Sequence, residues 1–206
     1  TTGAFDEAVA EYCKSLELPL DISFVKNPLY DRTNYIYSIY CARELLRDED
    51  IVLIHGDLVF EYSVLCDVLR NSGSCMAVDC SAELPEKDFK AVVRGGMIEK
   101  VGIEFFDEAV TAQPLYKLDR EDWAKWLEKM IDYCESGDES KRKCYAENAL
   151  NEIQDKTLAA LDISGRLCAE IDDPDDLAAV IEKLHKIKSR DVYMCFSTDM
   201  IHSGHI

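Results

Sequence analysis

The sequence predicts an α/β fold in which a mostly parallel central sheet carries flanking helices and an antiparallel hairpin insertion. In the first half of the chain, short apolar runs alternate with amphipathic segments of helical period, a pattern typical of parallel strands joined by crossover helices. The run at residues 51–55 is the strongest strand signal, because a continuous apolar run favours a strand buried on both faces. Gly95-Gly96 separates two further strand candidates, and this two-residue turn predicts the hairpin.

The remaining elements follow in order along the chain. The predicted helices are residues 5–16, 33–46, 62–69, 118–135, 144–153 and 173–188. The predicted strands are residues 21–25, 51–55, 75–78, two segments within 89–103, and then 158–163, 167–171 and 192–196. Thr33 or Asn34 can cap the second helix, and Pro174 suits the first turn of the last helix.

The net charge restricts the partners of this protein. The chain carries 41 acidic and 23 basic residues, for a net charge of −18, and such a field repels nucleic acid and anionic membrane surfaces. We therefore expect neither as a partner. Nucleotide phosphates would be repelled too, so a phosphate site here requires a metal ion or a local cluster of Lys, Arg and backbone N–H groups.

Length and cysteine usage indicate the organisation and the compartment. The 206 residues suffice for one domain and the start of another, and we expect a first domain at 1–188 and a second one beginning at 189–206. Nine cysteines without a Cys-x-x-Cys pair are typical of reduced thiols. No apolar run reaches membrane-spanning length, and no secretion signal is recognisable. A cytoplasmic location is the expectation.

Acidic residues follow two of the predicted strands. Asp57 comes directly after the strand at 51–55, and Glu170 and Asp172 follow the strand signal near 167. Ligands of open α/β sheets bind outside the carboxyl ends of the strands, and Mg²⁺ prefers carboxylates, waters and phosphate oxygens. Solvated strand ends and helix caps are the alternative interpretation, since the chain is rich in acids.

Three motifs occur in order along residues 1 to about 185. They are Asn27-Pro28-x-Tyr30-x-x-Thr33-Asn34-x-Ile36-Tyr37-Ser38, Ile54-x-Gly56-Asp57-x-x-Phe60 and Glu170-Ile171-Asp172-x-Pro174-x-Asp176-Leu177. Each is weak alone, but together they resemble the sugar-phosphate and phosphocholine nucleotidyltransferase family. Two stretches are most similar to its phosphocholine cytidylyltransferase type: Thr33-Asn34-x-Ile36-Tyr37-Ser38 and Cys144-Tyr145-x-x-Asn148-Ala149-Leu150.

The resemblance implies a Rossmann-like, nucleotidyltransferase-like fold and an enzymatic activity. The implied reaction transfers a nucleoside monophosphate, CMP from CTP, to a phosphorylated or phosphonate small molecule such as phosphocholine, and releases pyrophosphate. Mg²⁺ is the implied cofactor. Asp57 and Asp172 match the metal-binding and catalytic acids of the family, and Glu170 is expected to support them.

Three further residues are expected at the substrate through the same resemblance. Asn34 and Ser38 match the helix-start motif near the substrate, and Lys117 is placed to counter phosphate charge. A helix cap, a surface hydroxyl and a solvated lysine are the respective structural alternatives.

Two features depart from the family pattern. Tyr35 stands where the family has a second Asn, which puts a substrate contact from that position in doubt. The family also opens with a strand and a Gly-rich loop with Arg and Lys that hold the triphosphate, whereas this chain begins at Thr1-Thr2-Gly3. On the order of 50 residues of that kind are missing. We therefore expect a fragment with weak or no activity alone, since in-line transfer needs a positioned triphosphate.

The final residues carry a separate signal. His202-Ser203-Gly204-His205 follows the predicted strand at 192–196 and resembles the His-x-Gly-His motif of the other nucleotidyltransferase superfamily, in which it binds triphosphate after the first strand. His202 and His205 are thus expected to bind nucleotide in a second domain.

Two other functions stay open. The chain could be a noncatalytic module that binds a ligand or partner within a multidomain protein, or a nucleotide-sugar-dependent glycosyltransferase-like domain. The single acid in Asp57-Leu58-Val59, with no Asp-x-Asp, argues against the latter. A choline acceptor would require an aromatic cage, and four tyrosines lie near the motifs: Tyr30, Tyr35, Tyr37 and Tyr116.

Overall fold

The computed structural model describes residues 1–187 and 192–194. The helices are α1 (Asp6–Ser15), α2 (Tyr35–Leu46), α3 (Tyr62–Arg70), α4 (Arg120–Glu135), α5 (Ala146–Leu150) and α6 (Pro174–Lys186). The strands are β1 (Ile51–Ile54), β2 (Leu58–Glu61), β3 (Cys75–Asp79), β4 (Lys90–Arg94), β5 (Met97–Gly102), β6 (Ala109–Leu118), β7 (Ala159–Asp162), β8 (Cys168–Glu170) and β9 (Val192–Met194). The α/β class, with helices flanking a central sheet and a β4–β5 hairpin, is confirmed.

The strand directions differ from the expectation of a mostly parallel sheet. Six strands form the central sheet in the order β1-β6-β3-β7-β5-β4, with a further β4–β6 pairing. Within the described part of the chain, β3 and β7 are the only parallel pair of named strands in this sheet. The reason is β6, which lies antiparallel between β1 and β3. β1 and β3 therefore run in the same direction but are not hydrogen-bonded to each other.

The longest strand, β6, is one that the sequence analysis missed. β6 contains Pro114, and a proline within an apolar run argues against a central strand because it cannot donate a ladder hydrogen bond. Here the register between β3 and β6 shifts between Met76 and Val78, and such a bulge accommodates the proline. The carbonyl of Pro114 accepts a hydrogen bond from the backbone N–H of His55, at 3.2 Å.

Two other local predictions were wrong. Residues 21–25 form no strand. The β pairing in this region is a single isolated bridge between Thr2 and Lys26, which is too short to count as a strand. The helix expected at 144–153 is only the five residues of α5. In addition, β2 was not expected; it forms a small sheet in the order β8-β2-β9.

The core lies on both faces of the central sheet. In β3, Met76 and Val78 pack with α2, α4 and α5 on one face, while Cys75 and Ala77 pack with α3 and β2 on the other. This alternation follows from the two-residue period of a strand. The buried indole of Trp126 donates to the carbonyl of Ala146 at 2.9 Å, which fixes α4 against α5.

The expected second domain falls mostly outside the described residues. His202 and His205 both lie outside them, and of residues 189–206 only β9 is described. Its strand pairs antiparallel with β2. No helix in the described part of the chain is long and apolar enough to cross a membrane.

Candidate functional site

A cleft of about 420 Å³ opens at the carboxyl end of β1. The end of β1, the loop after it, the start of α2, the loop before β4 and the end of β8 contribute to its walls. Among the described residues, four carboxylates line it: Asp57, Asp88, Glu170 and Asp172. The position agrees with the general rule that ligands bind beyond the carboxyl ends of strands.

The pairing of β2 with β8 brings the distant acids together. Leu58 lies opposite Glu170 in this antiparallel pair, and the backbone N–H of Ile171 donates to the carbonyl of Asp57 at 3.0 Å. Asp57, which is more than 110 positions from Glu170 and Asp172 in the sequence, therefore lines the same cleft as they do. The expected convergence of these acids is found in the structure.

Two buried polar atoms in this cleft lack a hydrogen bond. Among the described residues, no partner is found for Oδ1 of Asp57 or for Nε2 of His55. Buried polar atoms without partners are rare in native proteins and commonly mark an ion or water that satisfies them. The donor atoms of His55, Asp57 and Glu170 all lie within 4.8 Å of one another. The residues present therefore fit a divalent cation.

The electrostatics of the acids also favours a cation. Burial raises the pKa of Glu170, and the charges of Asp57 and Asp172 raise it further, against the lowering effect of the hydrogen bond with His55. Burial raises the pKa of Asp172 as well, followed by the charges of Asp57 and Asp88. Carboxylates that repel one another in this way are stabilised by a cation between them.

Two opposing effects act on the pKa of His55. Burial lowers the pKa of its imidazole, but the hydrogen bond with Glu170 and the charges of Glu147, Glu170 and Asp57 outweigh burial, so its pKa lies above the ordinary value. Its Nδ1 is 3.3 Å from Oε1 of Glu170, and its ring meets the ring of Tyr35 edge-on at 4.5 Å between centroids.

Little positive charge balances the acids of the cleft. Lys87 is the only lysine or arginine among the described residues that line it. Its side chain is 87% exposed and lies 3.9 Å from Asp173, so it already has an anionic neighbour. An anionic ligand could enter this cleft only together with a cation.

Solved structures share this fold. An inositol-1-phosphate CTP transferase from T. maritima matches with a TM-score of 0.68 at 19% identity, over 89% of this chain and 73% of that one. A CTP:phosphocholine cytidylyltransferase from Streptococcus pneumoniae matches with a TM-score of 0.64 at 18% identity, over 85% and 75%. A UDP-glucose pyrophosphorylase complexed with UDP-glucose gives 0.62 and 12%, over 87% and 72%.

The chain has the nucleotidyltransferase fold. At these identities the likeness concerns the fold alone. Comparisons with protein-family models and with curated protein sequences give no match. The expected nucleotidyltransferase-like fold is therefore confirmed.

In this nucleotidyltransferase fold, Asn34 sits at the start of α2 and lines the cleft. Its Oδ1 accepts from the N–H of Tyr35 at 2.7 Å, and its Nδ2 donates to the carbonyl of Lys143 at 3.5 Å. Asn34 is thus both the helix cap and a residue of the cleft. Ser38 does not line this cleft; its hydroxyl accepts from Nδ2 of Asn27 at 3.0 Å.

The buried side chain of Asn27 organises the loop before α2. Besides Ser38, its Nδ2 donates to Oγ1 of Thr33 at 3.1 Å, and its Oδ1 accepts from the N–H of Leu29 at 2.8 Å. Asn27 is 1% exposed. The first motif therefore has a structural basis: it holds the loop that delivers Asn34 to the cleft.

Tyr35 and Tyr116 share a buried carboxylate rather than forming a cage. Both hydroxyls donate to Glu147, that of Tyr116 at 2.7 Å. Of the four tyrosines considered for choline, only Tyr35 lines the cleft. The aromatic residues that do line it with Tyr35 are Phe89 and Tyr145, whose rings meet edge-on at 5.0 Å.

Lys117 does not reach the cleft. It lies opposite Val52, toward the amino end of β1, where its Nζ donates to the carbonyl of Asn71 at 2.6 Å and lies 3.7 Å from Asp119. The expected role in countering substrate charge is corrected: Lys117 binds the carboxyl end of α3, since Asn71 caps that helix. The direction of β6, which the sequence did not reveal, decides this.

A buried lysine that the sequence analysis overlooked supports one wall. Nζ of Lys90 donates to the carbonyls of Glu86, Asp88 and Ile103, at 3.4, 3.0 and 2.7 Å. It also lies 4.3 Å from the ring centroid of Phe106. Lys90 thereby holds together the two loops that carry Asp88 and Ile103 to the cleft.

His55 and Asp88 are two polar cleft residues that sequence reasoning missed. His55 had a visible signal, since it directly precedes Gly56-Asp57 at the end of the strongest predicted strand. Asp88 gave no such signal, because it lies in a charged loop whose path depends on Lys90.

Proposed function

We propose that this chain carries the metal-binding acids of a nucleotidyl-transfer site, which transfers CMP from CTP to a small phosphorylated acceptor such as phosphocholine. In this reaction an oxygen of the acceptor phosphate attacks the α-phosphorus of CTP. The bond from the α-phosphorus to the bridging β-oxygen breaks, and pyrophosphate leaves with the electron pair. An acceptor phosphate is largely ionised near neutral pH, so the attack requires no protein base.

One observation carries this proposal. Asp57 presents a buried carboxylate oxygen with no partner among the described residues, in a cleft shared with Glu170 and Asp172. Satisfied carboxylates at strand ends would support a structural role instead. An unsatisfied oxygen beside two carboxyls of raised pKa supports a site that a cation completes.

Asp57, Glu170 and Asp172 would hold Mg²⁺. The ion, when bound, would offset the charge of the phosphate oxygens and orient them for in-line displacement. Asn34 would fix the substrate side of the cleft, because it stands at the N-terminus of α2, where backbone N–H groups attract anions. Phe89 and Tyr145 add aromatic surface to the cleft.

The choice of CTP and of a phosphocholine-type acceptor rests on similarity. The motif resemblance favours the phosphocholine cytidylyltransferase type, and two of the solved structures with this fold are named for CTP-dependent transfer. The acidic cleft would also favour a cationic group on the acceptor, because four carboxylates face one lysine there.

The test measures Mg²⁺-dependent CTP binding by calorimetry, and CDP-choline formation from CTP and phosphocholine. We expect binding that requires Mg²⁺ and that Asp57→Asn reduces at least about 100-fold, with product formation weak. Asp122→Asn is the matched control, since Asp122 does not line the cleft and accepts hydrogen bonds from Ser74 and Thr157 instead, so this substitution should leave CTP binding unchanged. CTP binding that is indifferent to Mg²⁺ and to Asp57→Asn would refute the proposal.

A noncatalytic binding module is the second candidate. It is favoured by the scarcity of cationic side chains in the cleft, where Lys87 is the only lysine or arginine among the described residues. Mg²⁺-dependent CTP binding without any product formation would support it. Binding of a nucleotide sugar in preference to CTP would instead indicate the glycosyltransferase-like alternative.

A further inference from the structure

His55 is a polar residue of the cleft to which the proposed transfer gives no role. A buried histidine in a protein core normally has hydrogen-bond partners on both ring nitrogens. Here Nε2 is buried without a partner among the described residues, and Nδ1 makes the contact with Glu170 at 3.3 Å. The hydrogen bonds of His55 therefore do not explain its place in the cleft.

The position of His55 is fixed by the fold. Its backbone N–H donates to the carbonyl of Pro114 at the β6 bulge, and its ring lies between Tyr35 and Phe89, at 4.5 and 6.2 Å between centroids. The end of β1 and the two aromatic contacts thus hold the imidazole in the cleft. This rigidity is what a metal ligand needs.

The spacing of the donor atoms fits coordination. A charge-assisted N–H···O hydrogen bond is about 2.7–2.9 Å long, so the 3.3 Å from Nδ1 to Oε1 of Glu170 is long for one. With Nδ1 as the ligating nitrogen this distance fits coordination, because two atoms that each lie about 2.1 Å from one ion are about 3.0–3.4 Å apart at octahedral to tetrahedral angles. The donor atoms of His55, Asp57 and Glu170 also form one group within 4.8 Å.

We propose that His55 is a nitrogen ligand of the divalent ion, and that this cleft therefore prefers a transition-metal ion over Mg²⁺. Mg²⁺ is a hard cation that takes oxygen ligands, whereas imidazole suits the later first-row ions. One histidine with two carboxylates is a mixed set of nitrogen and oxygen ligands, whereas a magnesium site needs oxygen ligands only. The inference rests on the proposed metal site, but it concerns the identity of the ion rather than the reaction.

The experiment compares Co²⁺ and Mg²⁺ affinities of the full chain by calorimetry, with His55→Asn as the variant. Co²⁺ represents the imidazole-preferring ions. We expect Co²⁺ to bind at least about tenfold more tightly than Mg²⁺. His55→Asn should weaken Co²⁺ at least about tenfold and change Mg²⁺ less than about threefold.

Competing ligands in the chain require two controls. His185 is exposed on α6, so His185→Asn should leave the Co²⁺ affinity unchanged. All titrations use a His202→Gln/His205→Gln background, which removes the two other imidazoles of the chain. Cysteine ligation would add a sulfur-to-cobalt charge-transfer band to the absorption spectrum, and we expect no such band.

A second measurement covers the case in which His55→Asn does not fold. In the same background, Co²⁺ should shift or broaden the imidazole resonances of His55 and leave those of His185 unchanged. Equal losses of Co²⁺ and Mg²⁺ affinity in the variant, or an unperturbed His55 resonance, would overturn the inference. Loss of Mg²⁺-dependent CTP binding in Asp57→Asn is a separate result that tests the transfer proposal.

Discussion

Asp122 and Asp57, at opposite ends of the central sheet, differ in how their carboxylate oxygens are satisfied. Near the amino ends of β3 and β7, Asp122 accepts hydrogen bonds from the hydroxyls of Ser74 and Thr157, at 2.7 and 2.6 Å, and from the N–H of Thr157 at 3.2 Å. At the carboxyl end of β1, Asp57 keeps a buried oxygen with no partner among the described residues. Acids are abundant throughout the chain, so satisfaction by hydrogen bonds distinguishes these two residues better than composition does.

The pKa shifts follow the same division. Burial would raise the pKa of Asp122, but the hydrogen bonds from Thr157 and Ser74 hold it below its ordinary value. At the other end, burial and neighbouring carboxylates raise the pKa of Asp172. A carboxylate that is stabilised by its neighbours contributes to folding, whereas one that its neighbours destabilise favours a bound cation.

The largest expected difference between the two ends is in metal-dependent stability. A ligand at 100 times its dissociation constant stabilises the folded state by about 2.7 kcal/mol. Mg²⁺ or Co²⁺ should therefore raise the unfolding temperature of the wild-type chain and of Asp122→Asn alike. Asp57→Asn should abolish the increase, as measured by thermal unfolding with and without the ion. An increase that persists in Asp57→Asn would place the ion elsewhere.

The second prediction reverses the roles of the two residues. Asp122→Ala removes the acceptor of three hydrogen bonds, so the free energy of unfolding without metal should fall by about 2 kcal/mol. Asp57→Asn removes a negative charge that repels those of Glu170 and Asp172. The free energy of unfolding without metal should therefore stay unchanged or rise by up to about 1 kcal/mol. Urea denaturation measures both. Equal destabilisation by the two substitutions would contradict the contrast.

The third prediction concerns how the stabilisation by Asp122 depends on pH. Because the folded pKa of Asp122 is lowered, its carboxylate stabilises the protein above the unfolded pKa of about 3.9. That contribution is lost as the pH falls through the folded pKa. The stability difference between wild type and Asp122→Asn should thus be constant from pH 7 to about 5 and shrink below about 4. A stability difference that grows on acidification would contradict a lowered pKa of Asp122.

The smallest expected effect tests the corrected role of Lys117. Lys117→Met removes the hydrogen bond to the carbonyl of Asn71 and the ion pair with Asp119. We expect a loss of about 1 kcal/mol in the free energy of unfolding. Mg²⁺-dependent CTP binding should be unchanged, as measured by the same calorimetry. Weaker CTP binding in Lys117→Met would restore the substrate role that the sequence suggested.

Local patterns predicted most of the elements correctly. The helices α1, α2, α3, α4 and α6 begin and end within about two residues of the periodic segments. Their caps and amphipathic periods are local, so neighbouring residues suffice to define them. The strand β6 could not be predicted in this way, because Pro114 is compatible with a central strand only through a bulge against β3.

The sequence by itself determined that acids follow strand ends and that Asp57, Glu170 and Asp172 belong to recognisable motifs. Only the tertiary structure decided which polar groups meet. The antiparallel path of β6 directs Lys117 away from the cleft, and the β2–β8 pairing brings His55 beside Glu170. Helix and strand periods depend on neighbouring residues, whereas the partner of a buried side chain depends on strand order, which residues far apart in the chain decide together.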